Sequence, residues 1–187
     1  MMQIVFVPLF LFVSTITAVN DIANSAVPKQ QFFEIILDRV ENVFETPSII
    51  EWQVRIKKVN KTRSFVGSMA FKVPIGNDFK VGLKLMKKQG GEYRYMPYSS
   101  PPTAYCDIII NDKYVYPDVL KQSDFPQDIA ANCPVPPKNY TFFGAVFNLD
   151  AVPTSILGSG EYAGEISYFK DDKVIGTYRV FAYVNKV

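Results

Sequence analysis

The amino-acid sequence predicts an all-β fold in which two sheets pack as a sandwich. Aromatic side chains are frequent, with 15 Phe and 11 Tyr among 187 residues, and planar rings pack well on pleated strands. Short segments of alternating apolar and polar residues recur along the chain, and turn signals separate them at regular intervals. Because 48% of the residues are apolar, the chain can bury the core of one domain.

Four segments in the first half of the chain are typical of strands. Residues 32–40 are largely apolar, and residues 49–59 alternate between apolar and polar side chains. The period of two continues over residues 65–73 and 81–88. The sequence Gln-Gly-Gly-Glu at 89–92 is a tight-turn signal, so we predict a hairpin between the fourth segment and the residues that follow.

The regular alternation stops between Pro97 and Pro137. Eight prolines fall in this stretch, and it lacks the Gly/Ser-rich composition of a linker, so we predict an ordered excursion within one domain. Residues 103–121 allow one short helix. Pro117 limits its length, because proline disrupts the interior of a helix. Three further strands follow, at 140–149, 161–169 and 174–184.

The first 18 residues are predicted to be a secretory signal peptide. They carry no charge, and their apolar run, residues 4–13, is too short to span a bilayer. The alternatives are an N-terminal anchor or a buried strand. Cleavage near Ala18 would leave one mature domain, residues 19–187. No other apolar run reaches 18 residues, so we predict an extracellular protein without stable membrane insertion.

The charges of the chain are nearly balanced. Its 20 basic and 18 acidic residues give a formal net charge of +2, so no long-range field attracts nucleic acid. Two basic stretches, residues 57–63 and 84–88, either meet lipid headgroups or form solvated faces that protect strand edges.

Two cysteines, Cys106 and Cys133, lie within the irregular stretch. An exported chain with an even number of cysteines is expected to pair them, so we predict one disulfide; the alternative is two free buried thiols. Two Asn-x-Thr sequons, at Asn60 and Asn139, are candidate glycosylation sites in a secreted protein.

The sequence does not favour catalysis, a metal or a cofactor. The chain has no histidine, which removes the usual general base and the common zinc sites. Asp107 with Asp112, or Asp171 with Asp172, could form an acid–base pair. The adjacent aspartates at 171 and 172 fit a turn between strands better. The glycine-rich segment 158–164 lacks the spacing of a phosphate-binding loop and fits a turn that opens a strand.

Several short motifs, taken in their order and spacing, resemble a known family. They are Tyr-Arg-Tyr-Met-Pro-Tyr at 93–98, Tyr-Cys at 105–106, Asp-Phe-Pro at 124–126, Asn-Cys-Pro-Val-Pro-Pro-Lys-Asn-Tyr at 132–140, Val-Pro at 152–153 and Gly-Glu-Tyr at 160–162. Over residues 50–187 the chain resembles the insect CheA-like chemosensory proteins and their secreted relatives. These belong with the MD-2-related lipid-recognition domains, which include the GM2 activator.

This resemblance implies an immunoglobulin-like sandwich whose sheets splay to leave an internal apolar cavity. It also implies extracellular release, a lipid-like ligand and no catalysis, with Cys106 and Cys133 as a structural bridge. The chain departs from the family at Pro137 and Lys138, where members often carry Lys-Gly. Vertebrate relatives also use more than one disulfide, so the specificity of the cavity does not carry over.

Two functions are therefore expected. The leading hypothesis is a secreted, non-enzymatic carrier or presenter of a small apolar or lipid-like ligand, with insect chemosensation implied by the resemblance. The alternative is an extracellular protein-binding module that acts on a membrane receptor or channel without a ligand. The predicted cavity walls are large apolar residues of the strands: Trp52, Val54, Ile56, Phe65, Met69, Phe71, Leu83, Leu85, Phe143, Phe147, Tyr162, Ile166 and Tyr168. We expect the proline-rich excursion to form the rim of this cavity.

Overall fold

A computed structural model describes residues 33–112, 116–146 and 158–186, which form two antiparallel sheets and two short helices. This confirms the predicted all-β sandwich. The predicted signal peptide and Phe147 lie outside the described residues. In chain order, the elements are β1 (Phe33–Glu45), β2 (Ile50–Val59), β3 (Thr62–Phe71), β4 (Phe79–Gln89), β5 (Glu92–Ala104), α1 (Tyr105–Asn111), α2 (Tyr116–Lys121), β6 (Asn139–Ala145), β7 (Gly160–Lys170) and β8 (Lys173–Lys186).

The larger sheet has the strand order β1-β8-β7-β4-β5, and the smaller has the order β2-β3-β6. The predicted hairpin after residue 88 is present: β4 and β5 are joined by Gly90 and Gly91, whose φ angles of 60° and 89° suit a tight two-residue turn. Asp171 and Asp172 also have positive φ angles, 49° and 58°, and join β7 to β8. These two aspartates are therefore turn residues, as expected.

The structure differs from the sequence prediction in the proline-rich stretch. Strand β5 continues through Pro97 and ends only at Ala104. Because β5 is an edge strand, proline can stand where no ladder hydrogen bond is needed. Two short helical segments follow where one was expected. Pro117 lies in the first turn of α2, where a missing N–H removes no helical hydrogen bond.

The inner faces of the two sheets meet in an aromatic core. Trp52 of the smaller sheet stacks on Tyr178 of the larger, with ring centroids 4.6 Å apart. Phe71 meets the rings of Tyr105, Phe125 and Tyr140 edge-on at 5.9, 6.2 and 5.9 Å. Such tilted contacts are the preferred geometry between aromatic rings. The excursion between β5 and β6 therefore packs onto the core.

The predicted disulfide between Cys106 and Cys133 is confirmed, with a Cα–Cα distance of 6.2 Å. Cys106 lies on α1 and is only 1% exposed. The bond spans 27 positions and ties α1 to the segment that leads into β6. It therefore closes the excursion at its two ends.

Candidate ligand-binding site

Most of the predicted cavity residues lie in the core between the sheets. Those that belong to it or pack against it are Trp52, Val54, Ile56, Phe65, Met69, Phe71, Ile166 and Tyr168. They form a continuous apolar interior to which both sheets contribute. The strand alternation in the sequence was sufficient to identify this group.

Three other predicted residues lie elsewhere on the larger sheet. Leu85 and Tyr162 belong to a separate apolar cluster with Val184. Leu83 is half-buried and pairs with Ile166 in the ladder between β4 and β7. The predicted wall is therefore divided between the main core and a smaller cluster.

Phe143 does not face the interior, because its side chain is 60% exposed whereas that of Phe142 is 7% exposed. Adjacent residues of a strand point to opposite faces, so a shift of one residue exchanges the buried and exposed sets. The two neighbouring phenylalanines give no periodic signal that distinguishes them. Phe143 therefore lies on the outer face, contrary to its predicted inward position, and Phe142 packs into the core instead.

Three buried polar atoms among the described residues of the interior make no hydrogen bond of good geometry, although the Tyr178 hydroxyl interacts with Glu45 and the Tyr116 hydroxyl with Tyr105. These atoms are Trp52 Nε1, Tyr116 Oη and Tyr178 Oη. Buried donors of this kind normally have partners, so each calls for an explanation. Tyr140 shows the usual situation, because its hydroxyl donates to the Pro136 carbonyl oxygen at 2.8 Å.

A concave site of about 280 Å³ lies in the excursion, beside the core. We call it the α1–α2 groove. It is formed by the two helices and the loop that follows them, and its walls are mainly apolar. The lining residues are Ile109, Ile110, Asp112, Tyr116, Pro117, Leu120, Gln127, Asp128, Ile129 and Ala130.

Local hydrogen bonds hold the walls of the groove in place. The Asp112 carboxylate accepts a hydrogen bond from the Tyr116 amide at 2.8 Å, which connects the end of α1 to the start of α2. Gln127 Nε2 donates to the Leu120 carbonyl oxygen at 3.0 Å and ties the loop to α2. These hydrogen bonds fix the positions of α1, α2 and the following loop relative to one another.

The polar groups of the groove are acidic or neutral. Among the described residues that line it, Asp112 and Asp128 are the ionisable acids, and no lysine or arginine is present. Burial raises the pKa of Tyr116 far above its ordinary value, so the phenol is neutral at physiological pH. The described lining of the groove thus offers apolar walls, a phenol and carboxylates.

Asp124 anchors the excursion to β6. Its carboxylate accepts a hydrogen bond from the Thr141 amide at 2.6 Å and forms an ion pair with Lys138 at 2.7 Å. Burial alone would raise the pKa of Asp124, but the bonds to Lys138 and to the Thr141 amide outweigh it, and the pKa is lowered. The neighbouring Phe125 stacks on Tyr140 with ring centroids 4.1 Å apart. The Asp-Phe-Pro motif therefore fixes the inner side of the excursion.

Both predicted glycosylation sequons are at accessible positions. Asn60 is exposed in the turn between β2 and β3, and Asn139 is exposed at the start of β6. The described part of the chain contains no group of three or more side chains suited to a metal ion. Of the candidate acid pairs, Asp107 accepts a hydrogen bond from Asn77 and Asp172 pairs with Lys80.

No described helix is long and apolar enough to cross a membrane.

A comparison with known protein families gave a match that includes the α1–α2 groove. Residues 81–163 match the family described as "Protein of unknown function (DUF1091)". The matched segment extends from β4 into β7, and it includes both cysteines and every lining residue of the α1–α2 groove. No curated protein matches the chain. The similarity to DUF1091 therefore covers the groove, but not β1 to β3 or β8.

Sequence reasoning placed the ligand between the sheets and gave the excursion the role of a rim. The groove walls were missed because their isoleucines and leucine occur in a proline-rich stretch without regular alternation. One signal was present: Ile109 and Leu120 occupy the only segment in which a helix was predicted. An apolar helix beside a core needs either a partner or a ligand for its outer face.

Proposed function

We propose that this chain is a secreted, non-enzymatic carrier or presenter of a small apolar or lipid-like ligand, and that the ligand occupies the α1–α2 groove. The observation that carries this proposal is the mainly apolar concavity of about 280 Å³. Its walls include Ile109, Leu120 and Ile129. Mainly apolar walls with a few polar groups are typical of small-molecule sites.

The resemblance to the MD-2-related lipid-recognition domains supports the proposal. A two-sheet sandwich and a bridge between Cys106 and Cys133 agree with what that resemblance implies. A disulfide also favours an oxidising compartment and hence an extracellular location. A role in insect chemosensation is part of the proposal and rests on the resemblance. The site differs from the implied one, because the groove lies beside the core rather than between the sheets.

A second candidate is a protein-binding module that acts on a receptor or channel. It is favoured by exposed aromatic side chains on the outer face of the larger sheet, where Tyr95 is 58% and Phe44 49% exposed. Aromatic residues are enriched at protein interfaces. Ion pairs on that face join Arg179 to Glu165 and Lys88 to Glu161. The face shows no concavity comparable to the α1–α2 groove among the described residues, so the carrier is the preferred function.

Native mass spectrometry of the secreted protein before and after organic extraction tests the carrier function. We expect an adduct of small mass that extraction removes, with a lower melting temperature afterwards, because a ligand stabilises only the folded state. A protein that carries no adduct, and whose melting temperature does not respond when the extract is returned, would support the protein-binding module instead.

A matched pair of variants locates the adduct. Ala130 lines the groove and is exposed, so Ala130→Trp should fill the site without disturbing the core. Ala131 is also exposed but is not a lining residue, so Ala131→Trp is the control. The adduct should be lost from Ala130→Trp and retained by Ala131→Trp. Equal retention by both variants would place the ligand outside the groove.

A further inference from the structure

The two basic stretches of the sequence differ in the partners that the fold provides. In the second stretch, Lys88 forms an ion pair with Glu161 at 2.8 Å. Lys84 and Lys87 lie over tyrosine rings, with their Nζ atoms 5.3 and 5.1 Å from the ring centroids. Contacts within the larger sheet therefore account for these three lysines.

The first basic stretch lies in the hairpin of β2 and β3, which we call the basic hairpin. Residues 50–71 carry five cations and one acid, hence a net charge of +4, whereas the whole chain has +2. Arg63 forms an ion pair with Asp38 of β1 at 3.5 Å, and the acid, Glu51, pairs with Lys72 instead. The other four cations are exposed, and their side chains make no ion pair or hydrogen bond with a described residue: Arg55, Lys57, Lys58 and Lys61.

The residues outside the described ranges cannot neutralise the basic hairpin. They contain two acids, Asp21 and Asp150, and two cations, Lys29 and Lys113. Even with both of these acids beside the hairpin, its charge would stay positive. The excess of cations is therefore a property of the hairpin itself.

Folding alone does not account for this charge. Lys58 and Arg63 stand directly opposite each other in the ladder between β2 and β3, and like charges at such positions are destabilising. Because β2 is an edge strand, a lysine on it protects the sheet against pairing with another chain. That reason does not apply to Lys61, which lies in the turn with a φ of 72°. The charge thus has a cost in the folded state that edge protection only partly explains.

The cations surround the end of the hairpin instead of forming one flat patch. Arg55 and Lys57 project from the outer face of the smaller sheet, because Ile56 between them packs against the core. Lys58 has the opposite direction, and Lys61 lies at the tip. Five residues separate Arg55 from the turn, so the group extends over about 17 Å. A flat surface would reach only some of these side chains, whereas a linear chain can reach all of them.

The chemistry of the hairpin favours a linear polyanion over a membrane. Adsorption to a bilayer needs apolar side chains that enter the interface, in addition to charge. Residues 55–63 include no exposed apolar side chain. Short segments rich in lysine and arginine are typical of surfaces that bind nucleic acid or heparin. For a protein that acts outside the cell, the polyanion of this kind is a sulfated polysaccharide of cell surfaces and the extracellular matrix.

We propose that the basic hairpin is a docking surface for a sulfated polysaccharide, in which Arg55, Lys57, Lys58 and Lys61 contact successive sulfate groups. None of these four residues lines the α1–α2 groove, so docking holds the protein at a surface while the groove remains open. The inference shares the extracellular location with the proposed function, but it does not depend on the ligand of the groove.

Titration calorimetry with heparin, as the sulfated probe, tests this inference. The full secreted protein is first treated with an endoglycosidase, because Asn60 lies in the turn of the hairpin and a glycan there would cover the cations. Heparin binding should weaken steeply with added salt, since each contact releases counterions. Two probes without sulfate should bind about tenfold more weakly or less tightly still: hyaluronan, a carboxylated polysaccharide, and polyglutamate, which represents an acidic protein segment.

A matched pair of triple variants locates the interaction. The hairpin variant carries three changes: Arg55→Gln, Lys57→Gln and Lys61→Gln. The control variant removes the same number and type of exposed cations elsewhere: Arg94→Gln, Lys173→Gln and Lys186→Gln. At physiological salt the hairpin variant should lose about 30-fold or more in affinity for heparin, and the slope of log affinity against log salt should fall by about two. The control should stay within about twofold of the unmodified protein, and both variants should keep its melting temperature.

Each other result would overturn the inference. If the unmodified protein does not bind heparin, the docking surface fails while the proposed carrier function stands. Equal losses in the two triple variants would mean that net charge, not the hairpin, determines binding. Polyglutamate or hyaluronan bound as tightly as heparin would remove the role of sulfate, and binding to phosphatidylserine vesicles without binding to heparin would assign the hairpin to a membrane. The comparison of probes on the unmodified protein decides the question even if a variant does not fold.

Discussion

Trp52 and Tyr178 join the two sheets, because the indole of the first stacks on the phenol ring of the second at an interplanar angle of 24°. The ring of Phe142 packs against Trp52 with centroids 6.2 Å apart, and the ring of Tyr168 packs against Tyr178 with centroids 6.0 Å apart. The sandwich is therefore closed by aromatic stacking at its centre. The α1–α2 groove lies beside this core rather than within it.

Replacement of Gly67 should be among the most destabilising single changes in β3. Gly67 has a φ of 123°, and an added Cβ would overlap the carbonyl oxygen of Gln53 on the neighbouring strand. We expect Gly67→Ala to lower the free energy of unfolding by about 3 kcal/mol or more, measured by urea denaturation. Gly164→Ala is the control, since its Cβ would make an ordinary contact of 3.8 Å with Leu83. A loss of equal size in both variants would contradict this account of Gly67.

Removal of the disulfide should loosen the excursion in particular. Cys106→Ser is expected to lower the free energy of unfolding by about 2 to 4 kcal/mol and to expose the segment between β5 and β6 to proteolysis. Limited digestion with mass mapping shows where cleavage begins. First cuts in β2 or β3, with the excursion intact, would count against the anchoring role of the bond. Two thiols alkylated in the folded, unreduced protein would show that the bond is absent.

The ion pair of Asp124 with Lys138 should make stability depend on acidic pH. The pKa of Asp124 is lower in the folded protein than its ordinary value of 3.8, so the folded state favours the carboxylate. Its contribution is complete above the ordinary pKa and is lost as the pH falls through the lower folded value. Because the carboxylate is partly exposed, we expect a contribution of less than about 1 kcal/mol.

Asp124→Asn should therefore reduce stability at pH 7 and flatten the loss of stability below about pH 4. Urea denaturation at several pH values, for this variant and the unmodified protein, measures both effects. Parallel curves for the two proteins across the acidic range would show that Asp124 is not the group responsible.

Glu165 and Arg179 form an ion pair on the outer face of the larger sheet. Replacing only one of the two partners should lower the free energy of unfolding. Glu165 is only 6% exposed, and Arg179 donates to its carboxylate through Nε at 2.9 Å and through a terminal nitrogen at 2.8 Å. Arg179→Met leaves this buried carboxylate with Tyr95 as its remaining donor, at 3.1 Å. We expect a loss of about 3 kcal/mol in the free energy of unfolding.

Two further variants check the reason for that loss. Replacing both partners, as in Arg179→Met with Glu165→Leu, should recover most of the stability, because no unpaired charge then remains buried. Lys80→Met breaks an exposed pair with Asp172 and should leave stability nearly unchanged. A double variant as unstable as Arg179→Met alone would mean that packing, not charge, is what Arg179 contributes.

The sequence was most informative where a regular period met a clear turn signal. The hairpin at Gly90 and Gly91 and the turn at Asp171 and Asp172 were predicted correctly, because positive φ angles select these residue types. The inward positions of Trp52 and its neighbours followed from strand alternation. The disulfide followed from the presence of two cysteines in a chain predicted to be exported.

The sequence failed where two physical signals conflicted. Proline is a poor strand residue, so the extension of β5 to Ala104 could not be predicted without knowing that β5 is an edge strand. Phe142 and Phe143 are adjacent, so only tertiary packing determines which of them is buried. The groove depends on how α1, α2 and the following loop come together. That arrangement arises from contacts between distant residues and has no periodic trace in the sequence.

Methyl-selective NMR during titration with methyl octyl ketone, a small and mainly apolar probe, tests the central claim most directly, because it detects binding and locates it at once. The methyl groups of Ile109, Leu120 and Ile129 report on the groove, and those of Val54 and Ile56 report on the core between the sheets. The account predicts saturable shift changes at the groove methyls, with much smaller changes at Val54 and Ile56. An absence of change at every methyl group, or changes largest at Val54 and Ile56, would contradict it.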